Sequence, residues 1–241
     1  MRIKFLGTSF GAPSIGRHQQ SILLETDNGE AYLFDAGAPV LDILINEGYD
    51  LTKIKAIFLS HMHGDHIDGI FDIIYLSAYF GMKFELYVPD EKGLNFLKNY
   101  MELQNIKYCD WITYGTIAEG DFFDKGIKAC AIPTNHMNKH QGNSFGFVAE
   151  SDGKKLYISG DLHSSLVDFP MFEKDDKIDF AITECAHFCA DDIIDKLNSF
   201  NIDMAAIVHV MPAEKYEDIK KCMEKSNIKI ILPSDGDVFE I

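Results

Sequence analysis

The chain has 241 residues, 46% of them hydrophobic, which is enough for a substantial buried core. Its 22 Lys and Arg stand against 38 Asp and Glu, a formal net charge of −16, and a field of that sign repels a polyanion over most of the surface. Extended RNA or DNA binding is therefore disfavoured, while a small anionic substrate stays open wherever bound cations reverse the sign locally.

No Pro- or Ser-rich linker, low-complexity tract or short-period repeat divides the chain, so residues 1–241 read as one domain. The opening Met1-Arg2-Ile3-Lys4-Phe5 enters a strand that breaks at Gly7-Thr8, without the apolar length of a signal peptide. Apolar runs bounded by turn residues predict strands at Arg2 to Leu6, Gln20 to Thr26 and Glu30 to Asp35, the last two joined by the hairpin turn Asp27-Asn28-Gly29. A helix over Val40 to Glu47 and a strand over Lys55 to Ser60 follow. Helical periodicity covers Ile67 to Phe80 and Lys92 to Leu103, with a strand Phe84 to Val88 between them. The most apolar helical stretch, Ile70 to Met82, is too short for a bilayer and carries Asp72, so a cytoplasmic protein without membrane contact is expected.

Strands are predicted next at Lys128 to Thr134, Ser144 to Glu150 and Lys155 to Ser159, with Asp152-Gly153 turning between the last two. From there strand and helix alternate: Phe180 to Thr183, Asp191 to Phe200, Met204 to His209, Ala213 to Glu224, Lys229 to Leu232. A meander first and alternation later indicate an α/β fold of two mixed sheets with helices outside. The five cysteines, Cys109, Cys130, Cys185, Cys189 and Cys222, are odd in number and scattered, which reads as reduced thiols. Cys185 and Cys189, with no second pair, read as packing rather than a metal pair.

The chemistry concentrates where the strand Ala56-Ile57-Phe58-Leu59 runs out. Ser60-His61-Met62-His63-Gly64-Asp65-His66 holds three of the nine histidines and an aspartate within six positions. Donors crowded where the backbone leaves a sheet can face one point, which is the pattern of divalent-cation ligation. His61 and His63 share a direction if strand geometry persists, and Asp65 and His66, past the Gly64 turn, can serve a second position. Each catalytic ion takes about three protein ligands, so further donors are needed. His136, Asp161 and His209 each stand where an apolar run exits. Alone, Asp161 reads equally as a helix N-cap, and the two histidines as strand-end residues.

The motif His-x-His-x-Asp-His after a strand resembles the metallo-β-lactamase superfamily. The segment Ile3-Lys4-Phe5-Leu6-Gly7-Thr8-Ser9, Pro13, Arg17, Phe34-Asp35-Ala36-Gly37 and Leu232-Pro233-Ser234-Asp235-Gly236 resemble its branch of ribonuclease Z and related phosphodiesterases. The resemblance implies a four-layer αββα sandwich with metals at one edge. It implies that His61, His63 and His136 hold one metal, that Asp65, His66 and His209 hold the other, and that Asp161 bridges them. Zinc suits such ligands first, with manganese and iron also accommodated. Two ions about 3.5–4 Å apart acidify a shared water and polarise the scissile group, so no Ser or Cys nucleophile is needed. The resemblance also suggests that Asp65 takes the proton of that water.

Departures from the family pattern narrow the activity. The branch carries His-Glu-Ala-Thr after a buried strand, its His assisting at the phosphate, and here the stretch is Thr183-Glu184-Cys185-Ala186-His187. Glu184 matches, the His is replaced by Thr183, and His187, one helical turn on, is the substitute expected to assist. Processing enzymes for tRNA 3′ ends carry a long basic arm between the positions of His136 and Asp161, where only a hairpin through Asp152-Gly153 stands here. The expectation is a small phosphodiester as substrate: a cyclic nucleotide, a cyclic phosphate or an oligonucleotide end. Competing readings are hydrolysis of a lactone, thioester or carboxylic ester, tRNA 3′ processing, and a non-catalytic metal-binding accessory role. A flavin-linked di-iron oxidoreductase is disfavoured, since that branch has Glu at the position of His63 and an added flavin domain. His163, close to Asp161, is open between reaching substrate and facing solvent; His140, Arg17 and His18 read as solvent-facing. The oligomeric state is open, a homodimer included.

Overall fold

The computed structural model describes residues 1–12, 14, 16–106, 111–138, 140–173 and 175–241; Pro13 and Cys109, named above, lie outside the described residues. The first sheet is built from β1 (Arg2–Gly7), β2 (Ser21–Glu25), β3 (Ala31–Phe34), β4 (Ile54–Phe58), β5 (Phe84–Val88) and β6 (Ile112–Thr116). The chain then crosses to the second sheet, with β7 (Gly120–Lys125), β8 (Ile127–Pro133), β9 (Phe145–Ser151), β10 (Lys154–Ile158), β11 (Ile178–Cys185), β12 (Ile202–Val210) and β13 (Lys229–Ile231). It returns as β14 (Val238–Glu240), which pairs with β1. The spatial orders are β14-β1-β2-β3-β4-β5-β6 and β13-β12-β11-β10-β9-β8-β7. In each sheet an antiparallel half joins a parallel half, with β3 to β6 parallel in one and β10 to β13 parallel in the other.

Alternation of side chains assigns the two faces of each strand. Leu23, Leu33 and Ile57 point to the outer layer, where they meet α1 (Val40–Asn46), α2 (Gly64–Ile67), α3 (Ile70–Leu76) and α4 (Glu91–Leu103). Their neighbours Ile22, Leu24, Tyr32, Phe34 and Phe58 point inward, between the sheets. Burial on both faces is why these strands read as unbroken apolar runs. Phe58 anchors the middle layer, its ring centroid 5.1 Å from those of both Phe34 and Phe123. On the far side, α5 (Ala190–Asn198) and α6 (Lys215–Met223) cover the second sheet over Ile178, Ala181, Ala205 and Ile207. The result is the expected αββα sandwich.

Two differences from the sequence expectation have local causes. The helix expected over Ile67 to Phe80 is interrupted after α2, where Gly69 N–H donates to Ala36 O at 2.8 Å. A side chain at Gly69 would collide with the carbonyls of Ala36 and Gly37, so the chain presses on that segment instead of coiling on. The strands β6, β7 and β14 were not among those predicted. All three are sheet edges. β7 and β14 present mainly half-buried and exposed side chains, so pairing rather than an apolar pattern defines them. Both expected hairpin turns form, with Gly29 and the pair Asp152-Gly153 at positive φ. Among the described residues no helix is long and apolar enough to cross a membrane, and Cys130, Cys185, Cys189 and Cys222 are free thiols.

Candidate metal centre

The carboxyl ends of the parallel strands of both sheets open on the same edge of the sandwich, where side chains from separate strands converge. His61 and His63 follow β4, Asp65 and His66 lie in the α2 turn, His136 follows β8, Asp161 follows β10, and Glu184 and His209 lie near the ends of β11 and β12. Asp161 is buried and no helix starts at it, so it is not an N-cap. Gly160 before it has φ +56, and a Cβ there would lie 2.5 Å from Phe145 O, so only glycine lets the chain turn Asp161 inward here. His209 sits at φ +51 where the β11–β12 register slips by one residue. That bulge turns its ring out of the strand's alternation and toward Asp65.

The seven expected ligands form two groups of donor atoms, and Asp161, Glu184 and His187 make a third beside them. His61, His63, His136 and Asp161 make the first, and Asp65, His66 and His209 the second, with the atoms of each group within 4.8 Å of one another. His63 Nδ1 lies 3.0 Å from His61 Nε2 and 3.1 Å from His136 Nε2. Asp161 Oδ2 is 3.5 Å from His136 Nε2 and 3.8 Å from His61 Nε2. Its other oxygen, Oδ1, is 3.4 Å from His66 Nε2 and 3.7 Å from His209 Nε2. Asp65 Oδ2 closes the second group, 3.0 Å from His209 Nε2 and 3.4 Å from His66 Nε2.

These spacings fit a pair of cations. Four ligands at about 2.0–2.1 Å around a tetrahedral ion stand roughly 3.3 Å from each other, close to what is found. His66 Nε2 and Asp161 Oδ1 are buried without a hydrogen-bond partner, an arrangement whose desolvation cost a bound cation would offset.

Electrostatics divide the histidines. Burial pushes His61 well below the ordinary imidazole range and lowers His63 and His136 as well, which leaves neutral rings with a lone pair to give. Burial acts the same way on His66, but Asp35 and Asp161 outweigh it and hold its pKa well above the usual value. For His209, too, burial is outweighed, by Asp161 and the hydrogen bond to Asp65. The protons on these two rings are the counter-charge that a cation would replace.

Asp35 was missed as a site residue by sequence reasoning, although the resemblance quoted the segment that holds it. Its Oδ2 accepts from His66 Nδ1 at 2.7 Å and from Ser60 Oγ at 3.0 Å, and its Oδ1 accepts the Ser60 N–H at 2.7 Å. The first bond fixes the tautomer of His66 and points Nε2 into the site. Asp35 holds φ +58 to do so.

Glu184 is buried and its four bonds face inward: Oε1 accepts from Leu162 N at 2.8 Å and His187 Nδ1 at 2.7 Å, and Oε2 from the amides of Ala186 and His187. His187 stands at the rim, about a third exposed at 32%, its ring centroid 4.7 Å from His136 and 6.1 Å from His209. His163 is exposed and bonded to Ser165 Oγ, and His140 and His18 are exposed. Arg17 is tied to Thr8 and Pro233 O and lies over the Tyr216 ring, so it braces the early loop.

A family model described as Anti-Pycsar protein Apyc1 matches residues 1–227. The chain belongs to this family. Ribonuclease Z of Crocosphaera subtropica is 31% identical over 156 residues, 63% of this chain and 49% of that protein. Ribonuclease Z of Listeria monocytogenes serotype 4a is 26% identical over 179 residues, 72% of this chain and 58% of its own length. The chain thus spans about half the length of the curated relatives it matches. Among solved structures, the metallo-β-lactamase fold protein YhfI from Bacillus subtilis aligns at TM-score 0.78 with 16% identity, covering 99% of both chains. The short form of human tRNase Z aligns at 0.69 with 20% identity over 100% of this chain and 99% of that one. A diphosphatase from the PhnP family aligns at 0.74 with 20% identity over 100% and 97%. The fold is therefore the metallo-β-lactamase fold, and the sequence is similar to ribonuclease Z, as the sequence resemblance implied.

Proposed function

We propose that this protein is a dinuclear metal-dependent hydrolase that cleaves a small phosphodiester. The observation that carries the reading is Asp161, whose two carboxylate oxygens face the two donor groups separately. His61, His63, His136 and Asp161 would hold one divalent ion, and Asp65, His66, His209 and Asp161 the other. Such ions supply Lewis acidity, lowering the pKa of water and drawing charge from a phosphoryl oxygen. Zinc is the first choice on ligand chemistry, and a structural neighbour from Methylobacterium extorquens is described as Zn(2+)-bound.

The chain's own residues divide the remaining work. Asp65, beside His209 and His66, is the carboxylate that accepts a proton. Glu184 holds Nδ1 of His187, so Nε2 is the atom that ring offers to a substrate oxygen. A net charge of −16 and a bare hairpin at Asp152-Gly153 favour a compact anionic substrate over folded RNA. The named relatives support phosphorus chemistry, since they include ribonuclease Z and a PhnP-family diphosphatase.

The test is turnover of a chromogenic phosphodiester beside a lactone and a thioester, with protein loaded with zinc, manganese or iron. Phosphodiester cleavage lost on chelation is expected. Faster lactone or thioester turnover would overturn the substrate class, and turnover of none would leave a metal-binding accessory role.

A further inference from the structure

Lys215 is the first residue of α6, and its ammonium reaches back to the turn that carries His187. Nζ donates to Cys185 O at 2.9 Å, Ala186 O at 3.0 Å and Phe188 O at 2.9 Å. An ammonium has three N–H donors, and these three bonds use all of them. Direct engagement of a substrate phosphate by Lys215 is thereby excluded. Its helix position is also unfavourable, because a cation in the first turn opposes the helix dipole. The gain comes from charge-assisted bonds to carbonyls of a tight turn.

The same turn is held from inside by Glu184, which takes the amides of Ala186 and His187 and the His187 ring. Glu184 thus binds the donors of residues 186–187 while Lys215 binds the acceptors of 185, 186 and 188. We infer that Lys215 is a positioning residue, the outer half of a clamp on the 185–188 turn that fixes the His187 ring between His136 and His209. The inference rests on the proposed role of His187 in hydrolysis for its kinetic consequence, and on geometry alone for the placement of the ring.

The variant Lys215→Met keeps the aliphatic stem and removes the donors. We expect it to bind metals in wild-type amount and, on a phosphodiester with an alkyl leaving group, to lower kcat about tenfold with KM changed less than about twofold, the pattern of a lost interaction made in the transition state. In a His187→Ala background the same change should lower kcat no further, because both substitutions remove one positioned group. Multiplicative losses would overturn the clamp. A second readout needs no turnover: the His187 ring signals in NMR of the zinc-loaded protein, assigned by their loss in His187→Ala. These should shift and broaden in Lys215→Met, and unchanged signals would overturn the inference. Should Lys215→Met not fold, Lys215→Gln, which keeps a neutral donor pair, should show an intermediate shift, and wild-type signals there would be equally fatal. If wild-type protein cleaves no phosphodiester, the proposed reaction fails while the ring signals still decide the clamp.

Discussion

Asp35 and His66 meet through one short contact, Oδ2 to Nδ1 at 2.7 Å, with both side chains fully enclosed at the end of β3 and the start of α2. Asp35 belongs to neither donor group, yet through its bond to Nδ1 it decides which nitrogen of His66 faces Asp161. Replacing it by Asn keeps the volume and puts an amide where a carboxylate accepted three bonds. Metal affinity should fall by about 10–100-fold, the usual cost of losing such a partner. Competition with a chromogenic chelator reads this directly; unchanged affinity would show that Nδ1 of His66 needs no carboxylate.

Because the two oxygens of Asp161 face different donor groups, two ions per chain are expected. Elemental analysis of protein purified without chelator should give two ions per chain, and Asp161→Ala should give one or none. Turnover should fall by orders of magnitude while thermal unfolding stays cooperative, because Asp161 sits among ligands rather than in the apolar layers. A single ion in fully loaded wild-type protein would remove the two-ion reading.

How much of this was legible in the sequence depended on how local each feature is. His61, His63, Asp65 and His66 could be read because one strand exit delivers them all. His136, Asp161 and His209 are brought in from separate strands, and only family order singled them out. The bulge at His209 and the φ of Asp35 are tertiary in origin, since neither residue type demands a left-handed backbone. The edge strands β7 and β14 escaped because their side chains are mainly half-buried or exposed and pairing defines them, whereas the edge strand β13 was read from its apolar Ile230 and Ile231. Lys215 escaped for a related reason: its three partners lie 27 to 30 residues away and are backbone carbonyls, which carry no sequence identity.

Charge makes a separate prediction. With a net charge of −16 there is no excess of cations to release counterions from a polyanion, so tRNA should bind more weakly than about 10 µM even at low salt. A fluorescence titration at several salt concentrations measures both affinity and slope. Saturable sub-micromolar binding with a steep salt slope would favour a processing role and remove the compact-substrate reading.

The last prediction concerns His187 itself. The branch that the sequence resembles carries a histidine at the position of Thr183, and here Thr183 is fully buried, with its hydroxyl bonded to Glu184 O at 3.3 Å. His187 stands at the rim instead, beside His136 and His209, and the bond to Glu184 raises its pKa despite its partial burial. A ring held by a buried carboxylate, with its other nitrogen toward the cleft, has the form of a general acid. His187→Ala should therefore lower turnover by about 10²-fold or more, within the range for losing such a group, while both metals remain bound. A substrate whose leaving group needs no proton, such as a nitrophenyl ester, should lose much less than an alkyl ester. Equal losses on both, or full activity in the variant, would return His187 to a packing role beside Phe188.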